Sequence, residues 1–224
     1  MVLLDNCIIL NNYLTPDEVA RIHKSADVLP WDMGRTGGNQ NDPDAPQEVE
    51  DEYGLNSDLR ISEVKWFTQD NFIPQDINEK LIKGLQIANE NANWNFQIDY
   101  FENFQYTQYT ADKSKPGFYT WHTDHGGELN SDGTIRKLSI TVQLSDPEEY
   151  NGGHFQWLEP THEFNQLTKD KIVDVNKMIQ TAPFSAKGIG TMIVFPSFVF
   201  HQVTPVTMGQ RRSLVGWACG QPYV

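Results

Sequence analysis

Cysteine is scarce in this sequence: Cys7 and Cys219 are the only two among 224 residues. Two thiols cannot build a disulfide framework, and they point to a reducing, cytoplasmic compartment. Long apolar runs are missing as well. No stretch approaches the roughly 20 uninterrupted apolar residues of a membrane-spanning helix. The opening MVLLDNCIILNNYL contains Asp5 and no basic flank, so it does not read as a signal peptide. Positive charge is also in short supply, with 17 Lys and Arg against 30 Asp and Glu and a net charge of −13. A protein that grips phosphates needs a basic surface, which argues against nucleic acid as a partner. Between Arg35 and Arg60 no Lys or Arg occurs, while Asp42, Asp44, Glu48, Glu50, Asp51, Glu52 and Asp58 all do.

What the chain does have is core material: 38% hydrophobic residues, 12% of all residues aromatic. That suits one generous domain. Thr15-Pro16-Asp17-Glu18 is a capping box with proline at the first helical position, and Val19, Ile22, Ala26 and Leu29 follow, so the spacing predicts a helix over about 16–28. Residues 32–58 read as a long acidic loop, either solvated or a mobile lid. A strand at 60–67 and a helix over about 75–92, with Ile77, Leu81, Leu85 and Ala88 on one face, come next. From Phe96 onward the texture changes to short segments rich in aromatic and β-branched residues. In KLSITVQLS, Leu138, Ile140, Val142 and Leu144 alternate with polar residues, the pattern of a half-buried strand. GHFQWLE, TMIVF, VFHQVTPV and RSLVGWA read the same way. The expected fold is mainly β with N-terminal helices: a single domain over 1–224, in which about 1–95 gives helical support and a lid loop and about 96–218 a jelly-roll core.

Six histidines carry the functional argument. In FYTWHTDHGG, His122 and Asp124 lie two apart, and on a strand such residues project from one face. His201 is the best candidate for a third ligand. Two imidazoles and one carboxylate on one face of a metal, with the opposite positions open, is the arrangement of a non-haem Fe(II) oxygenase. Arg211 and Ser213 follow in TPVTMGQRRS, again two apart, and offer a guanidinium fork and a hydroxyl to a carboxylate. Arg212 should point the other way. His23, His125, His154 and His162 read as structural or solvated, and Gly152-Gly153, with no GK[ST] after it, as a turn.

These residues resemble a family. Tyr109 with GFYTWHTDH, KLSITVQLS with YNGGHFQW, and KGIGTMIVFPSFVFHQVTPVTMGQRRSLVGW are similar, in order and over about 104–218, to the 2-oxoglutarate- and Fe(II)-dependent dioxygenases. Within them the likeness is to the prolyl 4-hydroxylase-like group that includes PKHD-type hydroxylases. The resemblance implies a double-stranded β-helix, with His122, Asp124 and His201 as iron ligands and Arg211 on the distal carboxylate of 2-oxoglutarate. It implies that Tyr109 assists at that carboxylate and that Trp217 lines the same pocket. Fe(II), 2-oxoglutarate and O2 would be used, with ascorbate as reductant, and the substrate would be a proline in a peptide or protein. Two features depart from the family: a longer segment between Tyr109 and His122, and a long polar insertion after GGHFQW. Collagen-type prolyl hydroxylases have Lys where this chain has Arg211.

Other readings stay open: the same superfamily acting on a nucleic acid base or small molecule, or a non-catalytic jelly-roll binding module. The net charge should favour neutral or basic peptides. Tyr119, Trp121 and Trp157 could give apolar walls to a proline ring, or belong to the core.

Overall fold

The computed structural model describes residues 5–36, 57–68, 70–126, 128–159 and 174–223. Helix α1 (Pro16–Ala26) starts where the capping box predicts. Thr15 Oγ1 accepts from the Glu18 N–H at 3.2 Å, and Glu18 Oε2 accepts from the Thr15 N–H at 2.7 Å. The helix buries Val19, Ile22 and Ala26 and stops two residues short of the expected end, leaving Leu29 buried in the turn beyond it. Helix α2 (Gln75–Asn91) buries Ile77, Leu81, Leu85 and Ala88. The two helices are joined by a bidentate Arg21–Asp76 pair and by Lys80–Glu18 at 2.8 Å. The exposed Arg21–Asp76 pair adds little; the cap adds more. Thr15→Ala should cost about 1 kcal/mol, read as a lower denaturation midpoint at unchanged slope.

Numbered along the chain, the strands form two antiparallel sheets. The larger runs β1 (Ile8–Leu10), β12 (Met192–Pro196), β8 (Ile135–Gln143), β14 (Val206–Gly220), β6 (Gln105–Thr110), β4 (Glu63–Trp66) and β2 (Asp32–Met33). Strands β5 (Tyr100–Phe101) and β9 (Tyr150–Gly152) pair further along β14. The smaller sheet runs β11 (Ile179–Thr181), β10 (Phe155–Leu158), β13 (His201–Val203), β7 (Phe118–His122) and β3 (Arg60–Ile61). The helices cover one face of the larger sheet, where Ile22, Ile77, Leu81 and Leu85 pack with Leu138, Ile140, Val142 and Leu214. Phe155 of β10 meets Ile193 and Phe195 of β12 in a second cluster between the sheets. This is the expected class, mainly β with N-terminal helices and a jelly-roll core.

Four local expectations change. Strand β8 is buried on both faces, not half-buried, because Ser139, Thr141 and Gln143 turn toward the second sheet. The strand expected at 60–67 breaks at Ser62: β3 joins the smaller sheet and β4 the larger. VFHQVTPV is not continuous, since Val199 and Phe200 lie in the turn before β13, and β14 begins after Pro205. The loop expected over 32–58 begins with a strand, Asp32–Met33, paired to Glu63 and Val64. Residues 37–56, the bulk of the expected lid, and residues 160–173, much of the polar insertion, lie outside the described residues. Among the described residues no helix is long and apolar enough to cross a membrane.

Candidate active site

Strands β7 and β13 pair with His122 opposite His201. Directly opposed residues share a face, so both imidazoles enter the space between the sheets. Asp124 arrives differently from the expectation: β7 ends at His122, and Asp124 occupies the turn beyond it. Its N–H donates to the Ser197 carbonyl at 2.8 Å, and the His125 N–H to the same oxygen at 3.1 Å, which fixes the turn. The three side chains converge. His122 Nε2 is 3.6 Å from Asp124 Oδ1, His201 Nε2 is 3.6 Å from Oδ2, and one ligand atom from each residue lies within 4.8 Å of the others.

Each imidazole is oriented by its own strand. His122 Nδ1 lies 2.7 Å from the Thr120 carbonyl and His201 Nδ1 2.9 Å from that of Val199. A carbonyl only accepts, so Nδ1 carries the proton and Nε2 presents a lone pair toward Asp124. Burial, reinforced by His201, pushes the pKa of His122 down to about 3, so its ring is neutral at physiological pH. Burial alone would raise the carboxyl of Asp124, but His201, His122 and Arg136, with a hydrogen bond from Ser139, hold it below the usual range. Two imidazole nitrogens and one carboxylate form a ligand set suited to Fe(II).

Around this cluster lie Tyr119, already a candidate wall for the substrate, and several groups to which no role was given. The Tyr119 ring stacks on His122, centroids 3.4 Å apart, and the guanidinium of Arg60 sits 4.8 Å from the Tyr119 centroid. Arg60 also donates to Ser62 Oγ and Gln105 Oε1. Arg136 is bidentate to Glu102, reaches the Asp124 carbonyl at 3.4 Å and lies 4.1 Å from the Trp217 ring. Ser139 and Ser197 are fully buried and bond to each other at 2.9 Å beneath Asp124. Arg60-x-Ser62 repeats the spacing of Arg211-x-Ser213, a signal available in the sequence.

Arg211 is 1% exposed. Its Nη1 donates to Ser213 Oγ at 3.3 Å and its Nη2 to Gln143 Oε1 at 3.1 Å, while Nε is buried without a partner. Among the described residues no carboxylate pairs with it. Tyr109 lies opposite on β6, its ring centroid 5.6 Å from the guanidinium carbon. A small pocket opens beside Arg211, lined also by Gln143, Gly153, His154, Phe155 and Lys187. Arg212 points the other way, to Gln108 Oε1. Trp217 is on the Arg211 face of β14 but further along, against Arg136 and Trp66, and is not among the residues lining that pocket. Of the other histidines, His23 bridges Tyr106 Oη and the Leu144 carbonyl in the core, His154 is exposed at the pocket, and His162 lies outside the described residues. Gly152 closes β9 and Gly153 starts the link to β10, with φ of 77° and 58°, where a turn was expected.

A two-sheet fold that brings together a His–Asp–His cluster and holds a buried arginine with no carboxylate partner among the described residues defines a class, and known proteins agree with it. Residues 104–219, just over half of the chain, match the 2OG-Fe(II) oxygenase superfamily, and the chain belongs to that superfamily. Its members are dioxygenases that use Fe(II) and 2-oxoglutarate with O2. A PKHD-type hydroxylase of Hyphomonas neptunium is 31% identical over 100 residues, which is 44% of this chain and 36% of that protein. The chain thus matches little more than a third of that relative's length. Two solved structures share the fold at 17% identity. A Pseudomonas putida prolyl-4-hydroxylase has a TM-score of 0.56, covering 97% of this chain and 94% of that one. The viral collagen prolyl hydroxylase of Paramecium Bursaria Chlorella virus-1 has a TM-score of 0.58, covering 96% and 97%.

Proposed function

We propose that this chain hydroxylates an unactivated C–H bond of a proline in a peptide or protein. His122, Asp124 and His201 would hold Fe(II), and Arg211, assisted by Ser213 and Tyr109, would hold the far carboxylate of 2-oxoglutarate. The observation that carries the reading is the pairing of a convergent His–Asp–His cluster, whose Nε2 atoms are both free of the strand carbonyls, with a buried arginine that has no carboxylate partner among the described residues. Bound iron and 2-oxoglutarate would supply the oxidising power, with succinate and CO2 as co-products, and ascorbate would serve as external reductant.

The chain's own part is positional. The carbonyls of Thr120 and Val199 hold the Nδ1 protons so that both Nε2 atoms stay available. The Ser197 carbonyl fixes the backbone of Asp124. Tyr119, stacked on His122, and Trp157, opposite His201, give the apolar walls a proline ring needs. The PKHD-type relative and the prolyl hydroxylase neighbours support the substrate class, and the net charge of −13 favours basic or neutral peptides over acidic ones.

The test is a screen of proline-containing peptides by mass spectrometry, scoring gain of one oxygen together with succinate. Free proline and methylated oligonucleotides belong in the same screen. A peptide product is expected; oxidation of the oligonucleotides with no peptide product would overturn the substrate and leave the iron site standing.

A further inference from the structure

Arg211 is not the only cation at its pocket. Lys187, the last residue of the 3-10 turn Phe184–Lys187, lines the same pocket and is 9% exposed. Among the described residues its one hydrogen-bond acceptor is the Gly152 carbonyl, at 2.8 Å, and its ammonium lies 4.5 Å from the Tyr150 ring centroid. An ammonium has three donors, so the protein leaves part of this one unmet. No carboxylate pairs with it among the described residues. The groups facing it are Arg211, His154 and Tyr150, none of them acidic near neutral pH. Burial, and then Arg211, lower the pKa of the Lys187 amine.

Two buried cations facing one pocket without a counter-ion repel each other and lack solvation, a cost that a bound anion removes. Arg211 Nε is also buried there without a hydrogen-bond partner. The Gly152-Gly153 turn touches both cations. The Gly152 carbonyl accepts from Lys187, and a Cβ on Gly153 would come 2.7 Å from Arg211 Cδ. A turn with positive φ at both residues thus lets the two charges approach one space.

We infer that Lys187 is a second anchoring residue for the far carboxylate of 2-oxoglutarate, which is held between two cations and not by Arg211 alone. This rests on the 2-oxoglutarate-dependent reading above. The alternative is that Lys187 only braces the Gly152 turn.

Calorimetry on the Fe(II)-loaded protein under nitrogen separates the two, using 2-oxoglutarate and 2-oxopentanoate, which keeps the 2-oxo acid end but lacks the far carboxylate. Lys187→Met should weaken 2-oxoglutarate on the order of 10-fold, the effect of one lost charge-assisted contact, and leave 2-oxopentanoate unchanged. Lys187→Arg, which keeps the charge, should recover most of the loss. Equal weakening of both ligands, or of neither, would overturn the inference and leave a brace. If the unaltered protein binds no 2-oxoglutarate at all, the proposed function falls first and the role of Lys187 with it. Circular dichroism on each variant confirms that the comparison is between folded proteins.

Discussion

His201→Ala should leave a folded protein that no longer retains iron. The imidazole is 5% exposed and its Nε2 faces Asp124 at 3.6 Å, and among the described residues the cluster has no fourth His, Cys, Asp or Glu. A site of two nitrogens and one carboxylate becomes one of each, too few ligands to hold Fe(II) against water. Purified anaerobically, the unaltered protein should carry a single Fe(II) per chain, and the variant almost none. His122→Ala and Asp124→Ala should behave alike, and turnover should vanish in all three. His23→Ala is the control. It removes a half-buried histidine that bonds Tyr106 and Leu144, so it should lower stability while iron content holds. Unchanged iron in His201→Ala would remove that residue from the proposed ligand set.

The second large effect concerns Arg211. Replacing it with methionine keeps much of the volume and deletes the charge. Loss of a buried, bidentate partner for a carboxylate is worth a few kcal/mol, so 2-oxoglutarate affinity should fall roughly 100-fold. Arg212→Met should do far less, because that side chain bonds Gln108 on the opposite face of β14. Stability should tell a different story. The empty protein loses two hydrogen bonds, to Ser213 and Gln143, but also sheds a buried charge without a counter-ion. Its melting temperature should therefore stay within about 5 °C of the unaltered protein. Equal effects of the two substitutions on 2-oxoglutarate would contradict the assignment of faces.

Local signals in the sequence were reliable where the physics is local. The Thr15–Glu18 box starts α1, and the spacing of Ile77, Leu81, Leu85 and Ala88 fixes the buried face of α2. Alternation gave Arg211 and Ser213 one face of β14 and Arg212 the other. The H-x-D spacing led to the right residues by an incomplete argument, since Asp124 is placed by the Ser197 carbonyl and not by a continuing strand. What stayed hidden depends on partners distant in the chain. No local motif gives Arg136 or Lys187 a role, because Glu102 and the Gly152 carbonyl come beside them only in the fold. Ser139 and Gln143 looked like the wet side of a half-buried strand. Only the second sheet turns that side into the support of Asp124 and Arg211.

The length of β14 bears on how fast this molecule folds. That one strand pairs with β5, β6, β8 and β9, and it follows all four along the chain. Tyr109 meets Arg211, and Ser139 meets Trp217, only after long loops have closed. Such distant pairings make folding slow, because loop entropy is lost before the contacts that reward it can form. Until β14 docks, β6 and β8 present open edges that invite other chains to pair with them. Refolding yield should therefore fall steeply with protein concentration, and the His122–Asp124–His201 cluster and the Arg211 pocket should form together in a single kinetic phase.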